Sequence, residues 1–448
     1  MELHTNMLYK FSLVKAKIAK CNSIWITLLG AIAAFGCYTS MYAFRKAFAA
    51  ATFANLDFFG IDFKICMVIA QMIGYTISKF YGIKYISESD KKNRARSIVK
   101  LIFISWLALL ALAIVPAPYN LAFMVINGFP LGMIWGLVCS YLEGRKTTEF
   151  MGAVLATTLI FASGFIKTVA RQLMEYTQIK EIWMPFCIGA LFFLPLLLFV
   201  TLLELMPSPT EEDKKLRTKR VPMDRKERAA FLAFFLPGII VTVITYVIFT
   251  ALRDIRDNFE VEIWHGLGIT NNQIFTQIDT IISLVILVLL SLLIIVKSNL
   301  KAFMLIHVMI ILGCVLILFS SVLYHFQYIN PVVWMTSVGI GLFMAYLPYN
   351  AVFFERFIAT YHYKSNIGFL IYLADAFGYL ASIGILGFKQ FGNPSISWLT
   401  FFTDALIWGS FIGVACTIFS IFYFKRKARL QEKRTSLQTS NNTKLSLI

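Results

Sequence analysis

Apolar residues in this chain come in blocks of roughly 20 separated by short polar stretches, the length at which an α-helix crosses a bilayer. The first half holds six such blocks, at 23–54, 63–86, 98–115, 119–142, 150–172 and 182–204. The second half holds six more, at 230–253, 274–296, 302–323, 330–357, 364–390 and 398–424. Gly and Pro interrupt several of them, which membrane helices tolerate better than soluble ones. The long polar insert from Met206 to Arg228 carries three prolines and dense charge. It divides the chain into an N-terminal six-helix bundle (1–205) and a C-terminal one (230–424), joined by a solvated linker over 206–229. Beyond Phe424 a basic, then Ser/Thr/Asn-rich tail, 425–448, predicts disorder. The pattern predicts an all-α membrane protein of twelve transmembrane helices.

Composition excludes an ordinary soluble domain, since 58% of the 448 residues are hydrophobic and only 15% charged. The net charge of +17 is a matter of topology. About three quarters of the 41 Lys and Arg fall in the amino-terminal segment, the insert, the tail and alternate loops. All of these share one side of the membrane only if there are twelve spans, so both termini are expected in the cytoplasm and the chain in the inner, or cell, membrane. No nucleic-acid partner is expected, because no soluble domain carries the charge. The first apolar run is too long for a cleavable signal and lacks a small-residue cleavage pattern, so it is expected to stay as an anchor.

Few residues carry candidate chemistry. Tyr38-x3-Tyr42-x2-Arg45-Lys46 in the first span returns 208 positions later as Tyr246-x3-Thr250-x2-Arg253-Asp254 in the seventh. In each copy the tyrosine, the next polar residue and the arginine share one helix face. An arginine at membrane depth is expensive and faces a water-filled pathway or a partner. Matched arginines in two halves are what a repeat-built carrier places around an anion. Arg45 has apolar sequence on both sides, whereas Asp254, Arg256 and Asp257 after Arg253 read equally as the exit from the membrane. Arg171 and Arg256 are expected at the membrane surface. Lys79, flanked by aromatics in the second span, reads as a pathway residue. Arg suits a phosphate or carboxylate through its bidentate fork, and Lys adds a point charge.

Phosphate-loop, zinc-protease, hydrolase-elbow and dinucleotide motifs are missing, so no enzyme, cofactor or metal is expected. The seven cysteines have no metal spacing and read as small apolar fillers. The five histidines, His4, His265, His307, His325 and His362, sit at loops and span ends and read as surface or interfacial. Gly128, Gly132 and Gly136, and again Gly409 and Gly413, read as helix-packing stripes. Pro130 and Pro348 read as kinks. Glu355 with Arg356, and Glu143 with Arg145, read as ion pairs latching the inward mouth.

At several of these residues the chain resembles the organophosphate:phosphate antiporters of the major facilitator superfamily. The stretches that carry the resemblance are YTSMYAFRKAF (Tyr38 to Phe48), YTISKF (Tyr75 to Phe80), YVIFTALRD around Arg253, and Phe377-Gly378-Tyr379-Leu380. The resemblance implies two pseudo-symmetric six-helix bundles, the major facilitator fold, and a central phosphate site. Its implied phosphate ligands are Arg45 and Arg253, with Lys79, Tyr38, Tyr42 and Tyr379 lining the cavity; the repeat adds Tyr246. The chain departs from the family in its fifth span, where LATTLIFASGFIKTVARQL lacks the family's histidine. It departs again in the degraded loop SESDKKNRAR and at Asp375, one turn before Tyr379, where a small neutral residue is expected.

The expected function is secondary active transport of a small organic anion, a phosphorylated metabolite exchanged for phosphate by alternating access. The expected partners are that anion, phosphate as counter-substrate and the lipid bilayer, with the chain a monomer. One alternative is a proton-coupled carrier of a non-phosphate anion, with Asp375 and Glu355 as candidates for proton coupling. A transporter-like membrane sensor without turnover is the other.

Overall fold

The computed structural model describes residues 13–54, 56–88, 93–210, 213, 225–361, 367–392 and 395–445. Twelve long helices follow one another among them. The first six are α1 (Ser23–Lys46), α2 (Phe63–Glu88), α3 (Arg94–Ile114), α4 (Leu121–Leu142), α5 (Thr148–Thr177) and α6 (Met184–Glu204). Next come α7 (Arg225–Gly266), α8 (Ile274–Ile295) and α9 (Asn299–His325). Then α10 runs Pro331–Pro348, passes a π turn at Tyr349–Phe353 and resumes as Phe354–Tyr361, ahead of α11 (Ile367–Gly392) and α12 (Trp398–Leu445). Ten of these are long and apolar enough to cross a membrane by length and composition. The other two, α2 and α11, are 26 residues each.

Local chemistry sets several helix starts. Asn22 accepts from the Ile24 amide to open α1, and Asn330 accepts from the Val333 amide to open α10, where Pro331 takes the first turn. Pro348 lacks the amide that an α-helical bond needs, and the π turn follows it at once. Burial is inverted relative to a soluble protein: Leu194, Ile295, Trp408 and Phe422 are exposed, while Arg45, Lys167, Glu260 and Asp279 are buried. Lipid is the solvent this surface suits.

The helices pack as two compact units. One gathers Met1–Thr218, Asp254–Ser291 and Ser382–Phe402; the other gathers Lys219–Arg253, Leu292–Ala381 and Thr403–Ile448. In the first, α1 packs on α5 and α6, and α2 lies along α4. The α2–α4 contact is backbone-close, since a Cβ on Gly74 would strike the Val125 carbonyl and one on Gly128 the Gln71 carbonyl. That is the packing expected of the Gly128 stripe. In the second unit α9 lies along α10, with Gly313 and Gly341 facing one another. Gly409 and Gly413 of α12 meet Ile248, Leu252 and Phe249 of α7.

Three expectations change. The seventh helix does not leave the membrane-type core at Arg253 but runs to Gly266, bending at Phe259. Its polar stretch stays inside because Arg256, Asp257, Glu260 and Glu262 each meet an opposite charge, as described below, and because Leu252, Ile255, Phe259 and Ile263 bury a continuous apolar face. The tail expected to be disordered continues α12 as helix to Leu445; its Lys, Arg, Gln and Leu are good helix formers. His307, expected at a surface, is buried on α9, with one ring nitrogen against the Phe303 carbonyl and the other against Ser420 Oγ. Most of the 206–229 linker, and His4 and His362, lie outside the described residues.

Candidate functional site

Arg45 ends α1 in the first unit, at a place built to hold it. Gln71 on α2 donates to the Arg45 carbonyl at 2.9 Å and to Asn127 Oδ1 on α4 at 2.7 Å. Asn127 in turn donates to the Phe44 carbonyl at 3.1 Å and to Ser105 Oγ on α3 at 2.6 Å. Buried amides thus take up the last carbonyls of α1, which have no partner within the helix. The Arg45 guanidinium lies 4.4 Å from the Tyr75 ring centre and 5.5 Å from that of Tyr42. Lys79 Nζ lies 5.3 Å from the same Tyr75 ring. Tyr38 packs 5.7 Å from Tyr42 and edge-on to Trp135 at 5.0 Å. The structure therefore brings Arg45, Lys79, Tyr38 and Tyr42 together around Tyr75, and adds Trp135, which carries no sequence signal beyond its place in an apolar span.

Arg253 has matching surroundings in the second unit. Its guanidinium lies 4.9 Å from the ring of Tyr346 on α10. Tyr246 stacks on Tyr346 at 5.6 Å and 25°, and meets Tyr349 edge-on at 5.5 Å. The Tyr246 hydroxyl donates to Asp375 Oδ1 at 2.5 Å and lies 3.4 Å from Asn350 Oδ1 in the π turn. Gly378 leaves room for Thr250, whose side chain a Cβ there would meet. Tyr246, Arg253 and Asp375 are thus gathered by α7, α10 and α11, and Tyr379 is close enough to act electrostatically on the Tyr246 hydroxyl. Glu355 stands apart from them in sequence, beyond the π turn and half-buried, beside Arg356, which donates to Asn299 Oδ1 at 2.9 Å. In both units, a buried arginine of the repeated pattern lies over a tyrosine from another helix.

A second assembly in the first unit was not expected from sequence. Lys46 Nζ lies 2.6 Å from Asp257 Oδ2 and donates to Asn258 Oδ1 at 2.7 Å. Asp257 also receives the Ser163 hydroxyl and lies 3.6 Å from Lys167 Nζ. Lys167 donates to Glu260 at 2.7 Å. Arg256 Nη2 reaches Glu260 at 3.3 Å and Asp279 at 2.7 Å. Alongside, Lys64 pairs with Glu262 at 2.5 Å. Buried charges are stable only when paired, and each of these meets an opposite charge. Arg256 therefore sits in the interior, which overturns the surface position expected of it. One signal could have found the assembly: Arg256 and Glu260 are four apart, and apolar residues recur at helical spacing through the same stretch.

Residues 47–427 match a family described as of unknown function, DUF5690. The chain belongs to that family. The matched stretch begins just after Arg45 and Lys46 and takes in Lys79, Arg253 and Asp375. No curated protein matches the chain in sequence. Its fold is similar to that of a solved D-xylose–proton symporter, with a TM-score of 0.60 and 15% identity over 89% of this chain and 97% of that one. A bacterial homologue of the human drug peptide transporters PepT1 and PepT2 aligns at a TM-score of 0.58 and 12% identity, over 90% of this chain and 98% of the other. The human organic anion transporter MFSD10 aligns at 0.51 and 12%, over 89% and 98%. This DUF5690 chain has the all-α fold of the major facilitator superfamily.

Proposed function

We propose that this chain is a secondary transporter that moves a small organic anion by alternating access, a phosphorylated metabolite in exchange for phosphate. The observation that carries the reading is the repeated pattern itself. Both copies deliver an arginine that is almost wholly buried, with its face over a tyrosine of a neighbouring helix. Stacking fixes the plane of a guanidinium and so fixes where its donor edge can meet a planar or tetrahedral anion. In this reading Arg45 and Arg253 grip the anion, Lys79 adds charge, and Tyr38, Tyr42, Tyr246 and Tyr379 offer hydroxyls and ring faces. The carrier is a monomer of the cell membrane with both termini in the cytoplasm.

Proteoliposomes loaded with phosphate provide the test. Labelled phosphate outside should exchange inward saturably, and phosphorylated metabolites should compete with it. Arg45→Lys or Arg253→Lys should each cut exchange, since losing a charge-assisted contact to a dehydrated anion costs about 1.5–3 kcal/mol, or roughly tenfold to a hundredfold. Absence of phosphate exchange, or a fully active Arg45→Lys, would overturn the reading. Asp375 favours a second reading, proton-coupled carriage of a non-phosphate anion, because its carboxylate accepts from Tyr246 within the Arg253 cluster. In that case Asp375→Asn should abolish pH-driven accumulation and leave exchange at equal pH intact.

A further inference from the structure

The buried charges of the first unit form a chain that alternates in sign from end to end: Lys46, Asp257, Lys167, Glu260, Arg256, Asp279. The arginine reading makes no use of it. The pairs also have a direction. Lys46 of α1, Lys64 of α2 and Lys167 of α5 each meet an acid of α7, respectively Asp257, Glu262 and Glu260. Each of these three pairs thus places the cation on the 1–218 stretch and the anion on 254–291. Arg256 and Asp279, by contrast, both belong to the acidic side, on α7 and α8.

Charged and polar groups from several helices face the two central acids. Asp257 faces Lys46, Lys167 and the Ser163 hydroxyl. Glu260 faces Lys167, Arg256 and the Trp264 indole N–H at 3.4 Å, with Asp279 beyond. Arg45 and Asp254 act on Lys46 through space, and Ser382 of α11 donates to Asp254 at 2.7 Å. Asp62 and Lys167 act on Lys64, and Glu262, Glu175 and Glu181 act on Arg171. While the helices are together, the six-member chain is neutral. Parted, α7 and α8 keep Asp257, Glu260, Glu262 and Asp279 with Arg256 among them, and the lysines leave with α1, α2 and α5. Carboxylates stripped of their cations and crowded by like charges favour the protonated form.

We propose that Asp257 and Glu260 are proton-binding groups, which release Lys46 and Lys167 and take up protons from solvent as α7 and α8 part from α1 and α5. The lysines keep their own protons and stand exposed as a cationic face that suits an incoming anion. Opening at this end of the bundle is therefore favoured by low pH. This rests on reading the chain as an alternating-access carrier, and not on phosphate being its cargo.

Spin labels on Tyr176→Cys, exposed at the end of α5, and Thr270→Cys, exposed in the connection between α7 and α8, would report the opening as a distance. They would be placed in a full-length chain whose seven native cysteines, all free thiols, are replaced. In liposomes the open-to-closed ratio should rise by more than tenfold, toward a hundredfold, for each unit of falling pH between 8 and 5, the limits for one and two linked protons. Glu260→Gln should raise the open fraction at pH 8 and flatten the response, and Asp257→Asn should do the same. The pair Lys167→Met with Glu260→Gln, which deletes one anion and one cation together, should be more open than wild type at pH 8 and keep only the shallower response that Asp257, still paired with Lys46, supplies. A wild-type distance distribution that does not change with pH would overturn the proposal without any variant having to fold. A full pH response surviving in both Glu260→Gln and Asp257→Asn would overturn it too. Phosphate exchange that persists alongside pH-independent distances would remove the proton site and leave the transport reading standing.

Discussion

Arginine is held in two different ways inside this protein, and the difference predicts how each position tolerates substitution. Arg45 and Arg253 lie over tyrosine rings, whereas Arg256 bonds two carboxylates. Arg45→Lys and Arg253→Lys should therefore lower anion exchange with little change in melting. Their double mutant should be hardly worse than the worse single one, because one lost grip already disables the carrier. Arg256→Met should do the reverse first, leaving Asp279 and Glu260 short of a buried cation at a cost of about 3–5 kcal/mol. Thermal unfolding in detergent reads this as a large drop in melting temperature, and an unchanged melt would contradict the assigned pairing. Arg171→Lys should be milder. Its Nε reaches Asn272 Oδ1 at 2.5 Å from a half-buried position, a contact worth about 1 kcal/mol.

Helices in this chain are placed by close backbone approach, and glycine marks where that approach is tightest. Gly74 on α2 faces the Val125 carbonyl on α4, while Gly152 on α5 has nothing within 4 Å of where a Cβ would stand. Gly74→Val should push α2 from α4 and cost about 1–3 kcal/mol or more. Gly152→Ala should be neutral or gain up to about 1 kcal/mol from helix propensity. Melting temperatures of the two variants, compared in one detergent, check the contrast; equal effects would mean the α2–α4 contact is looser than the structure has it. The same scale explains the extended α7. Its charged segment would end a helix facing lipid, but it continues here because Lys46, Lys64 and Lys167 stand opposite its acids.

Across the whole molecule, the distribution of basic residues between apolar spans predicts which ends face which compartment. A cysteine at Thr439 should react with an impermeant thiol reagent only from the cytoplasm, and one at Tyr119, exposed in the turn before α4, only from outside. Labelling of both from one face would end the twelve-span topology. The warrant is the one-sided distribution of Lys and Arg. Twelve helices follow one another among the described residues, ten of them long and apolar enough to span by length and composition.

The spans were legible because hydrophobic length and helix periodicity are local: α6 was expected at 182–204 and runs Met184–Glu204, and α8 was expected at 274–296 and runs Ile274–Ile295. The repeat of Tyr38 and Arg45 in Tyr246 and Arg253 was also legible, because helical spacing alone puts those side chains on one face. Asp375 stood out as an acid in an apolar run. What the sequence left open was where each polar stretch goes once the chain is folded. Lys46 meets Asn258 from 212 positions away and Lys64 meets Glu262 from 198. No spacing along a chain encodes such partners, and an unpaired DIRDNFE reads as an exit from the membrane. Tyr75, Tyr346 and Trp135 became part of the arginine surroundings for the same reason. Local pattern determined which segments are helices and which faces carry charge. The long-range packing of those helices decided which charges could stay buried, because a buried charge is stable only beside its partner.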